Sequence, residues 1–166
     1  MSLVLKMNNA IDKVAKLLID KSLTIAFAES ATAGRAAAEF SLACNAGKFL
    51  KGAVVCYDAS LKIKLLKVPK QLIEEFTPES MEVTKLIAEG LSGVIPADIH
   101  IGITGLPCSG GSETVDKPVG TMFVYAVFKG ADLFSERFQF NGNHLEIVNQ
   151  TVEQIAVLLS DKLIRI

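Results

Sequence analysis

The chain has 166 residues, 50% of them apolar and 21% charged, which is enough for one sizeable hydrophobic core and shows no bias toward disorder. Its formal net charge of -1, with Lys and Arg spread along the sequence, leaves no electrostatic footprint for nucleic acid or an acidic membrane surface. No apolar run approaches the roughly 20 residues that cross a bilayer, and no signal-peptide pattern opens the chain. Cys44, Cys56 and Cys108 are scattered, odd in number and outside any metal-ligand spacing, which suits a reducing cytoplasm; no cofactor is expected. Met1-Ser2-Leu3 carries no functional weight.

Ile11, Val14, Ala15, Leu17, Leu18 and Ile19 recur at helical spacing and predict a helix over 7–21. The apolar run 23–28 predicts a buried strand, and a helix rich in small residues follows over 32–43. A second strand is expected at 53–57, then short helices over 60–66 and 70–75. Thr77 as cap and Pro78 at the first helical position predict a longer helix running to Ser92. A third strand covers 97–104, and a Gly-, Ser- and Pro-rich loop covers 105–117. The β-rich runs 120–128 and 132–140, joined by Lys129-Gly130, form a hairpin. Asn143, with Glu146 three residues on, opens a final helix whose stripe is Val148, Val152, Ile155, Ala156, Leu159 and Leu163. This alternation predicts a single three-layer α/β/α domain over 1–166, with a mixed, mainly parallel sheet and an antiparallel hairpin near the C-terminus.

Open α/β sheets bind ligands at the carboxyl ends of their strands. Three such ends offer polar groups: Ser30 after the first strand, Tyr57 after the second and Thr104 at the third. A serine hydroxyl becomes nucleophilic only when a base removes its proton, and neither histidine stands in a Ser/His/Asp arrangement. Lys62, five residues after Tyr57, can serve as that base if burial keeps it neutral. The residues alone favour Ser30 as a helix cap, Tyr57 as a partly buried strand end and Lys62 as a solvated helix residue over that catalytic arrangement. The loop Gly105 to Ser112 either turns N–H groups toward an anion or only connects elements. It lacks the phosphate-loop ending, so ATP is not indicated. His100 reads as structural, and His144 as a surface residue or a ligand contact.

Ala28-Glu29-Ser30-Ala31-Thr32-Ala33-Gly34 resembles the Ala-Glu-Ser-Cys-Thr-Gly-Gly stretch of the CinA C-terminal domain family. Gly52 through Tyr57, with Lys62 following, is similar to that family's second strand and downstream lysine. Ile103-Thr104-Gly105, then Gly110-Gly111 and Lys117-Pro118-Val119-Gly120-Thr121, resembles its Thr-Gly, Gly-rich and Lys-Pro-Val-Gly-Thr series. The four motifs fall in the family's order across most of the chain. The resemblance is to the stand-alone form, with no room for the family's other domain, an N-terminal nucleotide-pyrophosphatase module.

The resemblance implies an amidohydrolase that converts nicotinamide mononucleotide or a related amide to the acid form and ammonia. It implies Ser30 as nucleophile and Lys62 as base, with Tyr57 and Thr104 in support. Glu29, Thr32, Gly34, Gly105, Ser109, Gly110, Gly111 and His144 are the substrate-binding residues it implies. The family's cysteine and one glycine are Ala31 and Ala33 here, its Gly-Ser-Ser before the second strand is shortened to Ala46-Gly47-Lys48, and an arginine after the last strand is replaced by His144. An arginine fork binds phosphate better than an imidazole, so the chemistry is carried over more clearly than substrate recognition. A non-catalytic ligand-binding or regulatory protein is the rival reading. The partners expected are a small-molecule nucleotide and further copies of the chain in a homo-oligomer, with no nucleic acid and no membrane.

Overall fold

A computed structural model describes the backbone of residues 3–166, with the side chains of Met7 and of residues 9–166; Met1 and Ser2, without functional weight in the sequence, lie outside the described residues. The elements in chain order are α1 (Leu3–Asp20), β1 (Ile25–Glu29), α2 (Arg35–Ser41), β2 (Leu50–Val55), α3 (Ala59–Leu66), α4 (Lys70–Phe76), α5 (Met81–Leu91), β3 (Ile99–Gly105), β4 (Thr121–Phe128), β5 (Ala131–Gln139) and α6 (His144–Arg165). The sheet order is β2-β1-β3-β4-β5. β1 pairs in parallel with β2 and β3, while β4 is antiparallel to β3 and β5, so β4 alone runs against the other strands.

Every residue of β1 is buried, as a central strand covered on both faces requires. Its side chains alternate between two cores. Ile25 and Phe27 pack with α1, α2 and α6, whereas Ala26 and Ala28 pack with α3, α4 and α5. Phe27 and Phe40 meet edge to face at 5.0 Å in the first core, and burying each contributes roughly 1.5–3 kcal/mol. Gly102 of β3 lets α5 lie directly on the sheet, because an added Cβ there would stand 2.3 Å from the Thr84 carbonyl oxygen. Among the described residues no helix is long and apolar enough to cross a membrane.

The structure moves several boundaries. α2 begins at Arg35 instead of residue 32, because Ala33 (φ 48) and Gly34 (φ 96) are left-handed and cannot extend a right-handed helix. Strand β2 starts at Leu50, which pairs with Ile25, and leaves Tyr57 beyond its end. Thr77 does not cap α5. It closes α4 at φ 69 and ψ 156, and Ser80 caps α5 by accepting from the Val83 N–H. The hairpin turn is Lys129-Gly130 with both residues left-handed, as a two-residue turn between twisted strands requires. Ala46–Lys48 forms one 3-10 turn before β2, at the sheet edge opposite Ser30.

α6 begins with a capping box: Asn143 accepts from the Glu146 N–H at 3.1 Å and Glu146 accepts from the Asn143 N–H at 2.8 Å. The predicted apolar stripe of α6 is buried throughout. Asn143→Ala is expected to cost about 1 kcal/mol. Thermal unfolding should show a midpoint lower by roughly 2–4 °C.

Candidate active site

The turn from β1 into α2 is organised by a buried carboxylate. Glu29 is fully buried and accepts from the Thr32 hydroxyl at 2.6 Å and from the N–H groups of Gly34 (2.9 Å), Ala36 (3.0 Å) and Ala37 (2.8 Å). It therefore serves as a remote cap for α2, whose N-cap residue Gly34 has no side chain to do so. Negative charge is also favoured at that helix end by the peptide dipoles. Ser30 is released from capping, its N–H held by the Ile103 carbonyl at 2.9 Å.

Lys62 supplies the partner. Asp58 caps α3 by accepting from the Ser60 N–H at 2.8 Å, and α3 then turns Lys62 toward the sheet. Lys62 is 1% exposed, and its Nζ lies 2.9 Å from Ser30 Oγ, 3.0 Å from the Cys56 carbonyl oxygen and 3.4 Å from that of Tyr57. Among the described residues no carboxylate forms a salt bridge with it. Burial pushes its pKa below the usual lysine range, partly opposed by the negative fields of Cys56, Glu79 and Asp58. As an ammonium, Nζ donates to Ser30 and the carbonyls. As a free amine, it keeps its N–H bonds to the carbonyls and accepts the Ser30 O–H.

Ser30 opens into a cavity of about 180 Å³ lined by Ala31, Tyr57, Glu79 and the segment Gly105 to Gly111. The Ala31 N–H has no acceptor among the described residues and follows the serine directly, where an oxyanion donor is needed. A second pocket of about 360 Å³ shares Ala31 and Tyr57 with the first and adds Thr32, Ala33, Arg35 and His144. Arg35 pairs with Glu39 at 2.7 Å, yet its buried Nε has no partner.

Tyr57 is 59% exposed, and it is its backbone carbonyl that meets Lys62. Thr104 is fully buried and hydrogen-bonded to Thr84 at 2.7 Å; Thr84 spends its own proton on the Ser80 carbonyl, so Thr104 donates and thereby ties β3 to the start of α5. Glu29 and Gly34 line neither pocket, and Thr32 lines only the second while its hydroxyl proton goes to Glu29. Gly105, Ser109, Gly110 and Gly111 line the Ser30 cavity, His144 lines the second pocket, and residues 46–48 line neither.

The sequence reading missed the latch on the Gly-rich loop. Lys117 donates to Thr77 Oγ1 (2.6 Å), the Glu79 carbonyl (2.8 Å) and Ser112 Oγ (2.8 Å), while Ser112 donates to Glu79 Oε2 at 2.6 Å. Partial burial lowers the Lys117 pKa. Its place in the Lys-Pro-Val-Gly-Thr stretch marks Lys117, but no local signal marks targets some 40 residues earlier.

The fold and site define an α/β protein carrying a buried Ser-Lys pair at the carboxyl edge of a mixed sheet. Residues 7–163 match the CinA C-terminal domain, and the chain belongs to that family. It is 36% identical over 123 residues to a CinA-like protein of Dictyoglomus thermophilum, covering 74% of this chain and 30% of that protein. A CinA-like protein of Endomicrobium trichonymphae is 33% identical over 160 residues, covering 95% of this chain and 36% of its own length. The chain thus spans about a third of the length of these relatives. A CinA superfamily protein structure from Klebsiella pneumoniae superposes with a TM-score of 0.91 at 26% identity, covering 96% of this chain and 99% of that one. One from Escherichia coli gives 0.86 at 27% identity, with 92% and 88% covered.

Two substitutions test the turn. Glu29→Ala strands buried N–H donors and should cost at least about 3 kcal/mol in urea unfolding. Ala33→Gly removes a left-handed alanine and should stabilise by about 1 kcal/mol in the same measurement.

Proposed function

We propose that the chain is an amidohydrolase that cleaves a primary carboxamide through a Ser30 acyl-enzyme, with nicotinamide mononucleotide or a closely related nucleotide as substrate. The observation that carries this reading is the 2.9 Å approach of buried Lys62 Nζ to Ser30 Oγ at the floor of a cavity. In the free-amine form Lys62 takes the Oγ proton as Oγ attacks the amide carbon. The oxyanion points to the Ala31 N–H. Collapse of the tetrahedral intermediate breaks the C–N bond, and the Lys62 ammonium returns the proton to the departing nitrogen, which leaves as ammonia. Water, deprotonated by Lys62, then attacks the ester and releases the acid and Ser30.

The sizes of the pockets support a divided substrate. A cavity of roughly 150 Å³ holds a benzene ring, so 180 Å³ suits a ring with its carboxamide and excludes a whole nucleotide. The ribose phosphate goes to the adjoining 360 Å³ pocket, where Arg35 and His144 supply donors for an anion. A non-catalytic ligand-binding role is the second reading, favoured by His144 standing where the family carries an arginine. Thermal stabilisation by nucleotides without turnover of any amide selects it.

Ammonia release from nicotinamide mononucleotide should fall by about a thousandfold or more in Ser30→Ala and in Lys62→Met, with both variants folded. Activity unchanged in Ser30→Ala rules out the serine mechanism. The active form is the unprotonated amine, so kcat/KM rises with pH through the Lys62 pKa. Because burial lowers that pKa, the rise should be complete below the ordinary lysine value of about 10.4. A limb centred at or above that value contradicts a desolvated base.

A further inference from the structure

Glu79 sits at the α4–α5 junction, outside every motif that the sequence singles out, yet it lines the cavity into which Ser30 opens. It is the one carboxylate among the lining residues, and no lysine, arginine or histidine lines the cavity with it. Its Oε2 accepts from Ser112 at 2.6 Å. Lys117, the nearest candidate counter-ion on the loop, directs Nζ to Thr77 Oγ1, the Glu79 backbone carbonyl and Ser112 Oγ. Among the described residues no salt bridge neutralises the Glu79 carboxylate, and Oε1 has no hydrogen-bond partner. Lys117, which shares Ser112 with Glu79 and lies in its field, does not line the cavity, so with Lys62 in its free-amine form beneath the floor the one ionised group on the wall is the Glu79 carboxylate.

We infer that Glu79 is a specificity-determining residue, selecting a positively charged ring that carries a primary carboxamide. This rests on the amidase reading above and deepens it. A pyridinium ring places a permanent positive charge a few atoms from the scissile carbon, in a half-enclosed site where Coulomb interactions exceed those in water. Oε1 is free to accept an amide N–H, which the substrate offers and the product acid does not. The product also carries a carboxylate that Glu79 repels, so the same charge that admits the amide speeds departure of the acid.

The test compares nicotinamide mononucleotide with its reduced dihydropyridine form, which keeps the ribose, phosphate and carboxamide but has a neutral ring. Calorimetric binding to Ser30→Ala, which cannot turn over, should favour the cationic form by about tenfold. In Ser30→Ala with Glu79→Gln the preference should shrink to within about twofold, through loss of affinity for the cationic form alone. Glutamine keeps an oxygen to accept from Ser112, and an unchanged thermal midpoint verifies the wall. A preference that survives Glu79→Gln overturns the inference, as does equal binding of the two forms by Ser30→Ala. Ammonia release by the wild type together with equal binding overturns Glu79 alone. Absence of both binding and release overturns the nucleotide-amidase reading with it.

Discussion

A lysine ammonium buried at 1% exposure without a carboxylate partner is costly, and the carboxyl edge of this sheet is arranged around that cost. Two strand-end carbonyls and one serine hydroxyl are all that Nζ meets. Those three groups satisfy an ammonium and a free amine equally well in geometry, but the dry surroundings favour the amine. The Asp58 cap that starts α3, the end of β2 at Val55 and the turn after β1 must therefore agree in position before the pair can form.

The polar groups around the pair have separate duties. Glu29 stabilises the first turn of α2 from below and leaves Ser30 unencumbered. Thr104, reaching Thr84 across the close approach that Gly102 permits, fixes where α5 begins and so where Glu79 and Ser80 stand. Polar residues at adjacent strand ends thus do unlike work: one presents a hydroxyl to Lys62, and another holds a wall in place.

The elements were legible because their signals are local. The Asn143 and Glu146 spacing announced a capping box, the Lys129-Gly130 pair a tight turn, and the continuous apolar runs the central strands. Ser30 and Lys62 are legible as a possible pair from the place of Ser30 at a strand end, of Lys62 five residues after Tyr57, and from the order of the motifs. What escaped was long-range accounting of hydrogen bonds. A cap five to eight residues away, as Glu29 provides, has no sequence pattern. Thr77 followed by Pro78 read as a helix start because the left-handed backbone of Thr77 depends on tertiary context. Lys117 meeting Thr77, and Tyr57 acting through its carbonyl, are equally invisible to local rules.

The latched loop has a thermodynamic consequence. Its ends are clasped by the Leu106 N–H to Thr121 and the Gly120 N–H to Leu106, at 2.8 and 2.7 Å, and its middle is pinned by Lys117 and Ser112. A segment held at so many points has already spent its ordering entropy during folding, so a ligand entering beside it has little left to immobilise. The loop behaves as a fixed wall, not a lid. Docking of a ligand beside such a wall meets a preformed shape, and the entropy of ordering the loop does not weigh on its affinity.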